Sequence, residues 1–163
     1  MATTLNGLPA DLPQKRFTIP GTTRKITCSR DFGPILLAVC ADYDKTVRSI
    51  DSGDTVDDAS LCKRDARAAK GRLSNHSNGT AVDLNWSEEG AQNSNWGRKF
   101  FAGAKAAAAI AVIKARYGSC IRWGGDWRAK DFMHWEIKPG VTLEKARKLQ
   151  AKLGIDANGN RKS

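Results

Sequence analysis

Residues 120–137 read CIRWGGDWRAKDFMHWEI, and the last six of them, FMHWEI, alternate in a way only a strand explains. Side chains on a strand point to opposite faces in turn. His134 and Glu136 therefore share one face, and Met133 and Trp135 share the other. The segment predicts two short strands around the Gly124–Gly125 turn. Upstream, Ala81 and Val82 read as a third strand from which Asp83 projects.

The elements around these strands follow from periodicity. PILLAVCADYDKTVRSI, residues 34–50, puts Ile35, Leu36, Val39, Tyr43 and Val47 on one helical face, with Pro34 in the first turn. Residues 98–117, RKFFAGAKAAAAIAVIKARY, read as one helix stopped by Gly118, slim enough to pack closely on a sheet. Thr142 caps a last helix that runs to about Leu153, where Gly154 ends it. Leu143, Ala146, Leu149 and Leu153 give it an apolar face. Residues 51–60 read as an acidic turn region, and residues 61–80 as mostly loop. This order predicts an α+β fold, a small antiparallel sheet with flanking helices. Residues 1–25, rich in Thr, Pro and Gly, are expected to form an extended arm. Residues 26–140 then form the main domain, and residues 141–163 a basic C-terminal helix and tail docked on it.

The chain has 163 residues, 40% of them hydrophobic, enough for one domain with its own core. No stretch approaches the ~20 apolar residues of a membrane span. MATTLNGLPADLPQK lacks the basic-then-apolar order of a secretory signal, so synthesis in a cytoplasm is expected. Cys28, Cys40, Cys62 and Cys120 form no CxxC pair and are expected to act as small buried hydrophobes, although one disulfide is compatible with them. The net charge is +10, and residues 138–163 hold seven basic side chains against two acidic ones. Such a chain is attracted to polyanions. No helix-turn-helix, RNA-binding or zinc-finger spacing is present, which argues against specific nucleic-acid binding. Nothing suggests more than a monomer.

Chemistry is concentrated around the only two histidines, His76 and His134. HSNGTAVD places Asp83 seven residues after His76, with Gly79 permitting a turn between them. Two imidazoles and one carboxylate with an open fourth position make a catalytic zinc arrangement. A base is also needed; Asp131 and Glu136 both flank His134, and Glu136 could instead orient the His134 ring. Ser74 and Asn75 are expected to fix the turn at His76. Trp123 and Trp135 are expected to pack in the sheet, and Trp127 to line a groove. Asn85 and Trp86, at the end of the strand, suit either a structural role or substrate contact.

LSNHSNGTAVDLN, residues 73–85, resembles the SxHxxGxAxD signature of the D-alanyl-D-alanine carboxypeptidase-like, VanY-type zinc peptidases. RWGGDWRAKDFMHWEI resembles that family's second signature, a WGG turn followed by DxxH and an acidic residue. The resemblance covers residues 67–137 and lies nearest to phage endolysins that cut peptidoglycan. It implies a hedgehog/D-Ala-D-Ala-peptidase-like fold, one Zn2+ held by His76, Asp83 and His134, and Asp131 as the base. It also implies an upstream arginine that stabilises the oxyanion: Arg67, with Arg64 and Arg72 as rivals.

The function implied is an L-alanyl-D-glutamate endopeptidase acting on peptidoglycan stem peptides. Such an endolysin would wait in the host cytoplasm for holin-type release, or travel in a virion. Its basic surface would meet anionic cell-wall polymers. The alternatives are a D,D-carboxypeptidase or dipeptidase releasing D-Ala, and a non-catalytic wall- or polyanion-binding module.

Overall fold

Alternation builds the central sheet. The structure is a computed structural model and describes residues 2–51, 56–67, 69–87 and 93–162. Strands β5 (Ala81–Asp83), β6 (Ile121–Trp123) and β7 (His134–Ile137) form an antiparallel sheet in the order β5-β7-β6. Its register sets Asp83 opposite His134, Val82 and Trp123 opposite Trp135, and Arg122 opposite Glu136. One face thus carries Asp83, His134, Glu136 and Arg122, and the other carries the apolar residues. The outer edge of β5 is covered by the preceding chain, with Ala59 and Asp83 exchanging backbone hydrogen bonds at 3.0 and 2.8 Å.

Helices α1 (Gly33–Thr46) and α3 (Ala104–Tyr117) pack on each other, α1 against β7 and α3 against β6. Aromatic rings fill the space between: Trp135 stacks on Trp123 at 5.7 Å and meets Tyr43 edge-on at 6.4 Å. Phe101 of α2 (Asn95–Ala102) joins Trp123 and Phe132 in the same cluster. Such pairs add to the large area each ring removes from water.

The architecture is the expected α+β one; the described residues form four α-helices and two further hairpins in addition to the sheet. The helix expected over 98–117 is two helices. Gly103 adopts an extended backbone, ending α2 and starting α3. Most of the alanines of α3 face solvent, and its buried stripe is Ala106, Ile110, Ile113 and Tyr117. Residues 65–73, expected as loop, contain a hairpin of β3 (Asp65–Ala66) and β4 (Ala69–Leu73). Within the expected acidic turn, residues 52–55 lie outside the described residues.

The first 25 residues differ most from expectation. They are not a free arm: β1 (Gln14–Thr18) pairs along its whole length with β2 (Lys25–Ser29), so residue 25 falls inside a strand. Ahead of it, Thr4 and Asn6 are buried; their side chains bond each other and those of Asn78 and Thr80, and the Asn6 backbone N–H donates to the Asn75 side chain. At the other end, Thr142 caps α4 (Leu143–Lys152), which contributes Ala146 and Leu149 to the common core. The tail returns to α1, where Arg161 pairs with Asp42 at 3.2 Å.

All four cysteines are free thiols; Cys28, Cys40 and Cys120 are buried, but Cys62 is exposed. Burial pushes the Cys28 thiol up to about 12 and that of Cys40 well above its ordinary value.

Candidate metal centre

The turn that carries His76 is a short 3-10 helix, Asn75–Asn78. Ser74 caps it by accepting the His76 backbone N–H at 3.2 Å. Gly79 closes it with a left-handed backbone, φ 69°. A Cβ at Gly79 would lie 2.3 Å from Gln14 Oε1 and 2.5 Å from Ser29 N. The β1–β2 hairpin thus buttresses the turn, and only glycine fits between them.

A second turn carries Asp131. A Cβ on Gly124 would lie 2.4 Å from the Asp131 carbonyl oxygen and 3.2 Å from His134 Cβ. The Gly124 carbonyl accepts the N–H groups of Trp127 at 3.1 Å and Asp131 at 3.0 Å. The first glycine of WGG thus holds the DxxH loop against the end of β6. Trp123 Nε1 fastens the same loop by donating to the Phe132 carbonyl at 2.9 Å.

These two turns and the register of β5 with β7 bring His76, Asp83 and His134 together. One ligand atom from each lies within 4.8 Å of the others, so the cluster could hold a metal ion. His76 Nε2 is 3.2 Å from His134 Nδ1 and 3.3 Å from Asp83 Oδ2, and His134 Nδ1 is 3.0 Å from Asp83 Oδ1. The far nitrogens are engaged elsewhere. His76 Nδ1 contacts the Ser60 carbonyl at 2.7 Å, and His134 Nε2 contacts Glu136 Oε2 at 2.7 Å. A carbonyl can only accept, so His76 Nδ1 carries the proton and its Nε2 lone pair points inward. Glu136 fixes His134 in the same way, with Nδ1 pointing inward. The donor set fits zinc: two imidazole nitrogens and a carboxylate, each ring oriented by an outer partner.

The electrostatics suit a cation. Burial pushes Asp83 up, but hydrogen bonds from His134 and His76 outweigh it and hold the carboxyl well below the usual range. Burial lowers His134, yet Asp83 and Glu136 together lift it to about 10. Glu136 is held down at about 2 against its own burial, chiefly by His134.

A cleft of about 750 Å³ opens over the trio, lined among others by Arg64, Arg67, Trp86, Trp127, Lys130 and Asp131. Asp131 is raised above its ordinary value, mainly by burial, and its Oδ1 has no hydrogen-bond partner. A buried oxygen of this kind is ready to accept from something in the cleft. Of the three arginines, Arg67 sits exposed in the turn of the β3–β4 hairpin and Arg64 lies just before it. Both line the cleft; Arg72, exposed on β4, does not. Trp127 tilts over the His134 ring at 5.1 Å, and Trp86 lines the same cleft, 48% exposed.

Sequence reasoning missed three contributors. The Ser60 carbonyl carries no side-chain signal, and nothing in the sequence announced Leu5, which lines the cleft from the amino-terminal segment. Arg122, bonded to Glu136 at 2.6 Å, was accessible in principle, since pairing β6 with β7 puts the two opposite each other.

No curated protein and no solved structure matches the chain. Residues 67–137 match the family model described as D-alanyl-D-alanine carboxypeptidase. That span holds the trio, Asp131 and Arg67, while Asn6, Ser60 and Arg64 lie outside it. With two histidines and a carboxylate converging at a cleft, the likeness of this stretch to that peptidase family supports a metallopeptidase.

Proposed function

We propose that the chain is a zinc-dependent hydrolase of peptidoglycan stem peptides, an L-alanyl-D-glutamate endopeptidase serving as a phage endolysin. One observation carries the reading: the two histidines of a metal-competent trio line a cleft with Asp131, whose buried Oδ1 has no partner.

In this reading His76 Nε2, the Asp83 carboxylate and His134 Nδ1 hold one zinc ion. A zinc ion held there would supply Lewis acidity, polarising a scissile carbonyl and making a water acidic near neutral pH. Asp131 accepts the water's proton and returns it to the nitrogen of the broken C–N bond, while the water's oxygen ends in the new carboxylate. Arg67, with Arg64 beside it, faces the carbonyl oxygen as negative charge develops there. Trp127 and Trp86 wall the peptide in. The arginines and Lys130 favour a substrate bearing carboxylates, as stem peptides do. The basic surface favours retention on an anionic wall, which the enzyme would reach after holin-type release.

The description of the matching family favours a second reading, a D,D-carboxypeptidase. Mass spectrometry of muropeptides digested with and without a chelator separates the two. New amino-terminal D-Glu, lost on chelation and restored by zinc, is the expected result. Released D-Ala would establish the second reading. Digestion that ignores the chelator and survives loss of His134 would refute both. A protein that binds no zinc and digests nothing would instead be a wall-binding module.

A further inference from the structure

Glu136 is only 3% exposed, and it neither faces solvent nor belongs to the trio. Its Oε2 meets His134 Nε2 at 2.7 Å, and two other side chains dictate where its oxygens sit. Asn75 Nδ2 donates to the same Oε2 at 2.8 Å. Arg122 grips Oε1 through Nε at 2.6 Å and Nη2 at 2.5 Å. The carboxylate plane is therefore held from both ends.

Asn75 cannot swing away. Its Oδ1 accepts the backbone N–H of Asn6 at 2.8 Å. Asn6 is itself anchored through Nδ2 to Thr80 Oγ1 at 2.9 Å and to the Ile137 carbonyl at 3.2 Å. An unbroken line of hydrogen bonds runs from Asn6 through Asn75 and Glu136 to His134. It ties the amino-terminal segment to both the turn of His76 and the strand of His134.

We propose that Asn75 and Arg122 are positioning residues of the metal centre. They fix Glu136, and through it the orientation and donor strength of His134; the segment around Asn6 sets Asn75. This rests on reading the trio as metal ligands. The physical reason is that a ligand ring binds best when its far N–H is already held, and a carboxylate holds it only if the carboxylate is itself immobile. Mere packing would predict something different: loss of melting temperature with metal affinity untouched.

The test measures zinc affinity by chelator competition, the visible spectrum of the cobalt-substituted protein, and the melting temperature of the zinc-free protein. Asn75→Ala and Arg122→Gln are each expected to weaken zinc binding by about 10–100-fold and to shift the cobalt bands. Arg122→Lys, which keeps a cation at Oε1, is expected to recover most of that loss. Arg122 is 39% exposed, so its variants test the idea even if Asn75→Ala fails to fold. Wild-type zinc affinity and cobalt spectrum in both variants, whatever their melting temperatures, would overturn the proposal alone. A wild-type protein without zinc affinity would overturn the metal reading and this proposal with it.

Discussion

At His134 the two ring nitrogens face different carboxylates, Asp83 from Nδ1 at 3.0 Å and Glu136 from Nε2 at 2.7 Å. Asp131 stands apart from that exchange, and its free Oδ1 defines its test. Asp131→Asn keeps shape and zinc but cannot take a proton, so turnover should fall by about 10²–10⁴ with metal content unchanged. Assays of released amino termini beside metal analysis would check this. A different residue governs stability against pH. Burial pushes Asp58 up to about 7, although its backbone contact from Asn85 and the nearby Arg24 pull the other way. Arg24 Nε is 3.7 Å from Asp58 but 3.4 Å from Asp51 and also bonds the Ile50 carbonyl, so burial prevails. The folded chain keeps a proton that the unfolded chain releases near 4. This contribution is complete below about pH 4 and is lost as pH rises through about 7. Asp58→Asn should flatten the fall in Tm over that window, read by thermal melts. Two lone histidines and an acidic residue seven positions on were legible in the sequence as a metal set; the Ser60 carbonyl that orients His76 was not, because backbone contacts leave no residue-specific trace.

At the scale of elements, legibility followed how each segment is held. The strand of His134 and Glu136 was readable because one of its faces is apolar and the other is the site. Thr142 and Gly154 marked the limits of α4 by their own chemistry. The β3–β4 hairpin was not readable: its described residues are exposed or half-buried apart from Ala66, so backbone pairing rather than a hydrophobic pattern holds it. The break at Gly103 was hidden because one glycine in an alanine-rich run costs a helix only about 1 kcal/mol. The sharpest element-scale prediction concerns the WGG turn. Gly124→Ala would force its Cβ against the Asp131 carbonyl. It should cost about 1–3 kcal/mol of stability and reduce activity well beyond that loss. Denaturant melts and turnover measured on the same preparation would show it; unchanged turnover would contradict the close approach described.

For the molecule as a whole, the excess of +10 charges is long-ranged and therefore sensitive to salt. Sedimentation with purified walls should show binding that declines as ionic strength rises from about 50 to about 300 mM, where the screening length becomes a few ångströms. Retention that ignores salt would point to a specific pocket instead. The amino-terminal segment completes both the cleft wall and the support of the metal site, a whole-molecule role that composition could not convey because it depends on the backbone and side chain of Asn6 meeting residues about 70 positions away. The register of β5 and β7 has an evolutionary consequence. Asp83 and His134 are 51 positions apart in sequence yet directly opposed across one strand pair. Descendants could lengthen, shorten or replace the part of the intervening chain that lies ahead of β6, and so change what the cleft admits, while the ligands stay where they are. A single deletion inside Ala81–Asp83 would instead turn a ligand toward the core. Selection should therefore tolerate change in that stretch far more readily than within the strands or the turn that carries Asp131.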